Sequence, residues 1–446
     1  MPSIAEINAR VNALVWGAPM LVLLIGTGVL LSILTRGIQF RKFGFAFREV
    51  FGKILHRGSG EGTVRPFQAL ATALASTVGV GNIAGVSTAI YLGGPGALFW
   101  LIVSGLLGMV TKFAEVAVAL YYRQPDATGT VRGGAMYVLS KGLGLSWLGA
   151  TFALLTAIAA FGIGNMVQAN SVAEAARTSF GIEPRLTGIV LAILTGAVIL
   201  GGLRRIAEVT QFLVPFMCVF YLVGGLIVLV RFAGEIPAAI ELMMSSVFTG
   251  QAAIGGFAGA TVRDALGYGL KRGLFANEAG LGSAPMVHSS AVTDHPIRQA
   301  CYGIVEVFIV TNVVCTLTGL VVLSTGAWQS GATGAELSAR AFSIGLPGDW
   351  GHYVVSIGLI TFALSTLIGW SYYGETAIAY LLGVKAVLPY RLMWTGFVYL
   401  GAVGSLHLLW EIADTLNGLM AIPNLIGVLG SLRLLLRLIR EFFPPQ

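Results

Sequence analysis

The sequence predicts an all-α integral membrane protein with about eleven transmembrane helices. Three observations predict it. Hydrophobic residues make up 56% of the 446-residue chain and charged residues only 11%, whereas a soluble domain carries about a quarter. So few charges cannot cover a water-facing surface, which excludes a large soluble protein. Apolar runs of about 20 residues, enough to cross a bilayer, recur from end to end. The basic residues sit in short loops between them, biased to alternate loops.

The runs lie near residues 14–34, 67–90, 96–121, 147–176, 186–202, 207–231, 250–270, 299–325, 353–380, 391–410 and 414–436. Arg10 precedes the first run, but there is no basic leader or small-residue cleavage site. It is therefore read as a retained helix and not a signal peptide. The loop after it carries Arg36, Arg41, Lys42, Arg48, Lys53, Arg57 and Arg65, which places it in the cytoplasm. Counting onward, the same side collects Arg123, Arg132 and Lys141, then Arg204 and Arg205, then Arg263, Lys271, Arg272 and Arg298. Lys385, Arg391, Arg433, Arg437 and Arg440 follow. The opposite side receives Arg10, Arg177, Arg185, Arg231 and Arg340. The expectation is a multi-pass protein of the cell (inner) membrane, N-terminus outside and C-terminus cytoplasmic.

This distribution accounts for the net charge of +7 without a nucleic-acid partner. Cys218, Cys301 and Cys315 lie in apolar stretches with no metal-ligand spacing and read as packing residues. In the connection from Ser324 to Tyr353, Glu336 to Phe342 fits a short helix over the mouth of the protein. A plain surface loop fits as well.

Two spans carry clustered glycines: "STVGVGNIAG" in the second and "AAIGGFAGAT", Ala252 to Thr261, in the seventh. An odd spacing of five spans orients them oppositely, as in transporters built from inverted repeats. Glycine lowers the cost of leaving the helix. An unwound turn exposes amides and carbonyls that lipid cannot satisfy, at several kcal/mol each. Ligands, ions or water must complete them. Close helix packing is the alternative reading of the glycines. "GVGNIA" also fits a loose dinucleotide fingerprint, but the preceding strand and later acid are missing.

Polar residues at membrane depth are costly and mark function. Ser76, Thr77 and Asn82 flank the first glycine cluster. Asn165 and Gln168 share one face of the fourth span. The ninth holds Thr361, Ser365, Thr366, Trp370 and Glu375, and the eighth holds Glu306, Thr311 and Asn312. Each has a structural alternative. Hydroxyls bond their own helix, Asn165 and Gln168 join helices, and Glu306 and Glu375 pair with basic neighbours. Lys112 and Glu115 read as a local ion pair.

"ALASTVGVGNIAGVSTAIYLGGPGALFW" and "RGLFANEAGLGSAPMVHSSA" closely resemble the two most typical stretches of the alanine or glycine:cation symporter family. The likeness runs through "GWSYYGE" and "DTLNGLMAIPNLIGVL", nearly the whole chain. It implies a leucine-transporter-like core of two inverted five-helix repeats with broken helices. The chain would be one transmembrane domain, 1–446. Residues 1–66 would form an extra helix and basic cytoplasmic segment, 67–232 the first repeat and 250–438 the second.

The resemblance also implies a site. Thr77 to Gly81 would be unwound, with amides of Thr77, Gly79 and Gly81 near the substrate carboxylate. The carbonyls of Ala75 and Val78 with the hydroxyls of Ser365 and Thr366 would bind sodium, the coupling ion. Asn82 matches a residue that binds a second sodium in some proteins of the fold. Asn165 and Gln168 would touch the substrate, and Phe257 and Trp370 would cap it. Asn277 and Glu278 would brace an inner gate or simply form a turn.

The function so implied is secondary active symport of alanine or glycine with sodium, by alternating access, without a cofactor. A proton-coupled carrier of the same fold, using Glu306 or Glu375, is the alternative. A membrane enzyme would need a catalytic cluster of His, Asp or Glu at depth, and none has usable spacing.

Overall fold

The computed structural model describes residues 3–252, 254–404 and 407–444. Ala253, in the second glycine cluster, and Ser405 and Leu406, in the tenth run, lie outside the described residues. The chain is almost entirely helix. An apolar solvent leaves the backbone no other partner than itself. The only strand ladder among the described residues pairs Gln124–Pro125 with Val131–Arg132.

α1 (Ile4–Val15) and α2 (Ala18–Leu34) precede the core, and short α3 (Ile38–Arg41) and α4 (Phe43–Phe51) follow. The first core group is α5 (Pro66–Thr77), α6 (Ala84–Gly93), α7 (Gly96–Tyr121), α8 (Ala135–Tyr137), α9 (Ser146–Ala159), α10 (Val167–Phe180), α11 (Pro184–Ile199) and α12 (Gly202–Arg231). A π-helical stretch, Ala160–Met166, joins α9 to α10. After α13 (Ile236–Thr249) come α14 (Val262–Asn277), α15 (Pro285–His288), α16 (Pro296–Val307) and α17 (Thr316–Ser324). Another π-helical stretch, Phe308–Cys315, joins the last two. α18 (Gly334–Gly345), α19 (Trp350–Leu382), α20 (Val387–Val403), α21 (His407–Gly430) and α22 (Leu432–Phe442) complete the chain.

Seven helical segments among the described residues, α1 and α2 counting as one, are long and apolar enough to cross a membrane. The interrupted pairs α5–α6 and α14–α15 are not among them. The last expected run, 414–436, is divided: α21 stops at Gly430 and α22 is amphipathic, with Leu435 and Leu438 buried and Arg433, Arg437 and Arg440 exposed.

Two faces are tied together by contacts between distant loops. On the basic face, the Arg123 guanidinium donates to the carbonyls of Glu61, Ser289, Ala291 and Thr293. Val131 N–H donates to Thr63 Oγ1 there. On the opposite face Arg231 donates to Gly345 O at 2.9 Å, and Phe180 stacks on Tyr353. α18 lies on this opposite face, where the sequence allowed a short helix. Arg263, Lys271 and Arg272 depart from their expected place. Arg263 opens α14 on the opposite face, and Lys271 and Arg272 lie along its shaft.

The first break is where the glycines predict it. Val78 and Gly79 are extended, with φ −84, ψ 94 and φ −134, ψ −162. Gly79 N–H leaves the helical register and donates to Asn82 Oδ1 at 2.8 Å.

The second break is not at Ala252 to Thr261. That stretch lies between helices as a tight hairpin, with Gln251 and Ala260 exchanging amide bonds of 2.8 Å. Its glycines serve the turn: Gly255 and Gly259 have φ of +58° and +93°. Gly256 packs so closely that a Cβ would sit 2.6 Å from the Ser330–Gly331 backbone. The helix instead breaks from Glu278 to Ala284, "EAGLGSA". Glu278 is left-handed at φ 53, and Gly280 and Gly282 follow at φ 95 and 78. Pro285 restarts a short helix, the position proline favours. α15 packs on α5 and α14 on α6, so the two broken pairs cross each other.

Candidate functional site

The site is built on the loose ends of the first break. Helix α5 ends before an amide can reach Ala75 O, because the next N–H in register, that of Gly79, bonds Asn82 instead. Such orphan carbonyls need partners, and they carry the negative end of the helix dipole. α19 brings two hydroxyls to them. Ser365 Oγ lies 3.1 Å from Ala75 O and 3.5 Å from Val78 O. Thr366 Oγ1 lies 3.2 Å and 3.4 Å from the same two oxygens.

Proton counting limits what this cluster can hold. Each hydroxyl has one proton, and each has a closer partner in its own helix, Phe362 O, at 2.8 Å and 3.0 Å. With both protons spent there, the four contacts to Ala75 and Val78 are lone pair against lone pair. All four oxygens are buried. A hard cation held at about 2.3–2.6 Å by oxygens would space them by just such edges. Among the described residues no cluster of three His, Cys, Asp or Glu offers an alternative metal site.

Beside the cradle is a place for a small ligand. A Cβ on Gly79 would lie 2.8 Å from Thr366 Oγ1 and 3.5 Å from Gln168 Oε1. Gln168 Nε2 donates to Ile163 O at 3.0 Å within the π-helical stretch, while its Oε1 is buried without a partner. Gly81, Gln168 and Phe275 line a cavity of about 620 Å³ that extends past Lys271, Arg272, Glu411 and Asp414. Thr77 is the last residue of α5 and not part of the unwound turn, and its Oγ1 donates to Ala73 O at 3.0 Å, which leaves lone pairs but no proton for a ligand. Asn165 Nδ2 donates to Trp394 O at 2.9 Å, tying the π-helical stretch to α20, and its Oδ1 has no partner. Trp370 packs its indole on Gly164.

Phe257 is not brought to this site. It sits in the hairpin of the opposite face, edge-on to Trp328 at 5.3 Å between centroids. Its assignment rested on the misplaced second break. Phe275, near the end of α14, lies 3.6 Å from the Gly81 Cβ position instead.

The second break is braced by buried charge that the sequence alone did not reveal. Trp370 Nε1 donates to Glu278 Oε1 at 3.0 Å, and Ser283 Oγ to Glu278 Oε2 at 2.5 Å. Glu115 Oε1 accepts from Gly280 N at 2.9 Å, Gly282 N at 3.2 Å and Asn424 Nδ2. Lys112 does not pair with Glu115. Its ammonium lies 3.3 Å from Glu306 Oε1, whose other oxygen is 2.8 Å from His288 Nε2. Gln299 Nε2 is 3.0 Å from His288 Nδ1. Glu375 is likewise held, by Arg132 at 3.0 Å and Arg391 at 2.7 Å.

Removing one partner of a buried pair costs about 3–5 kcal/mol. Lys112→Met is therefore expected to lower the thermal unfolding midpoint in detergent markedly. Adding Glu306→Gln, which keeps an acceptor for His288 without the charge, should restore most of the loss. A double variant no more stable than Lys112→Met would refute the pairing.

A profile described as the "Sodium:alanine symporter family" matches residues 1–445. The "Sodium/alanine symporter AgcS" of Methanococcus maripaludis is 50% identical over 427 residues, 94% of this chain and 93% of that protein. The "Probable sodium/glutamine symporter GlnT" of Bacillus subtilis is 34% identical, over 94% of this chain and 86% of its own. Among solved structures, a sodium-coupled sialic acid symporter in a substrate-bound outward-open state has a TM-score of 0.50 at 12% identity, covering 91% of this chain and 82% of its own. A manganese transporter of Eremococcus coleocola has a TM-score of 0.51 at 14% identity, covering 88% and 93%. These two show a shared fold alone, the leucine-transporter-like core of broken helices. The chain is a multi-pass transporter and not an enzyme: it belongs to the sodium:alanine symporter family, whose members couple amino-acid transport to a cation.

Proposed function

We propose that the protein takes up alanine or glycine with sodium, by alternating access. One observation carries the reading. Four buried oxygens, the carbonyls of Ala75 and Val78 and the hydroxyls of Ser365 and Thr366, face one another, and each hydroxyl has a nearer acceptor for its proton in Phe362 O. Sodium needs such neutral hard oxygens and no carboxylate. Its charge also stabilises an amino-acid carboxylate placed against the amides of Val80 and Gly81, since those of Val78 and Gly79 are taken by Leu74 O and Asn82 Oδ1. In this reading Gln168 Oε1 accepts from the substrate ammonium. Asn165 positions the π-helical stretch against α20. The absence of room for a side chain at Gly79 suits a small ligand. Trp370 and Phe275 bound the substrate's methyl side.

The family name and the printed name of the 50%-identical relative support alanine and sodium. The proton-coupled alternative has less support, since Glu306 and Glu375 are both engaged in ion pairs. We further propose that the basic face is cytoplasmic and the N-terminus outside, and that the repeats span 66–231 and 262–430, closer bounds than 67–232 and 250–438.

Each sodium ion entering down a 100 mV potential contributes about 2.3 kcal/mol beside its own gradient. Alanine uptake into proteoliposomes should follow an imposed sodium gradient and be indifferent to a proton gradient. Uptake that ignores both would overturn symport. Uptake driven by protons alone would move the coupling to a carboxylate. Trp370→Ala should admit amino acids with larger side chains in a competition panel. An unchanged panel would remove Trp370 from the pocket.

A further inference from the structure

A second cavity, of about 540 Å³, lies on the basic face where α2 ends, between α3 and α22. Its polar wall is Arg36, Arg41, Lys42 and Arg440, and no acidic residue lines it. Its other wall is apolar, from Leu34, Ile38, Leu436, Ile439 and Phe443.

Several basic groups elsewhere on this face, though not all, are matched. Lys53 pairs with Glu49, Arg298 with Glu49 and Asp294, Arg132 with Asp126 and Glu375, and Arg391 with Glu375. Among the described residues, none of the four cations of the cavity is in an ion pair. Among the described residues, Arg36 is also one of two non-glycine residues with positive φ, at 54°, and Gly37 follows at 64°. That costly conformation turns the chain under the end of α2. Lys42 lies 4.5 Å over the Phe443 ring and closes the cavity against the C-terminal end of α22. Depth supplies the last clue. Ile33 and Leu34 on the last turn of α2 are exposed apolar residues, as a lipid-facing helix end requires.

We propose that this cavity binds the headgroup of an anionic phospholipid, its phosphate among Arg36, Arg41, Lys42 and Arg440 and an acyl chain along the apolar wall. Guanidinium groups match phosphate bidentately, and basic pockets beside transmembrane helices select anionic lipids. The site rests on the membrane reading of the chain and not on the transported substrate.

The test uses full-length protein in neutral detergent. Thermal unfolding is followed with added phosphatidylglycerol, phosphatidylcholine or inorganic phosphate. Phosphatidylglycerol should raise the midpoint above phosphatidylcholine, and inorganic phosphate should not. Arg36→Gln/Arg41→Gln/Arg440→Gln should lose that increment. Arg433→Gln, which removes a charge of α22 outside the cavity, should keep it. Native mass spectrometry of the unaltered protein should show retained phosphatidylglycerol favoured about tenfold, a readout that stands even where the triple variant fails to fold. Parity between the lipids, an increment retained by the triple variant, or an equal increment from inorganic phosphate would each overturn the proposal.

Discussion

Thr366→Val should weaken apparent sodium affinity by about 10- to 100-fold while changing alanine affinity at saturating sodium by less than about threefold. The size follows from losing one oxygen that faces a charge, worth about 1.5–3 kcal/mol. Valine keeps the β-branch and the volume, so the helix and its packing are preserved. The separation follows from position. Thr366 Oγ1 is within 3.4 Å of both orphan carbonyls of α5, whereas ligand contacts beside it fall to the Gly79 turn and Gln168. Sodium dependence of alanine uptake, measured at several fixed alanine concentrations, separates the two effects. Equal losses in both affinities would leave the hydroxyl without its assigned role.

Glu115→Ala should reduce uptake by about 100-fold or more and lower thermal stability. One carboxylate oxygen holds two amides of the second break, those of Gly280 and Gly282, together with the Asn424 side chain. Each buried amide left without an acceptor costs about 1–3 kcal/mol, and both belong to a segment whose backbone is left-handed at two glycines. Glu115→Gln keeps one carbonyl oxygen and should fall between the two. Uptake by well-folded Glu115→Ala at the unaltered rate would show that the segment holds its shape without the brace.

The fold and half of the site were legible because they rest on local signals. The long apolar runs and the basic loops declare the membrane and the two faces. Gly79 and Gly81 beside Asn82 declare the first break. The second break was misread because two stretches carry clustered glycines, and counting glycines cannot tell a turn between helices from a break within one. The distinguishing signal was present in "NEAGLGSAP". A charged residue at a helix C-terminus is followed by alternating glycines that accept positive φ, and then by a proline that restarts a helix. The loop bias misled for the same reason, since Lys271 and Arg272 then fell on the wrong side of the break.

The charge network was not legible. Glu115 meets Gly280 across 165 positions and Asn424 across 309, and Lys112 finds Glu306 across 194. Its neighbour three residues on was the only partner that spacing could suggest. The oxygen cradle lies between these cases. Its residues were named by resemblance, but the shortage of protons that supports the proposed cation site emerges only from the geometry.

The most direct test exchanges the driving gradient. Proteoliposomes are given an inward alanine gradient and no sodium or proton gradient, and labelled sodium and internal pH are followed together. The account predicts sodium entry that requires alanine and is strongly reduced in Thr366→Val at low sodium, with no matching acidification. Alanine entry accompanied by protons, with sodium left behind, would contradict it.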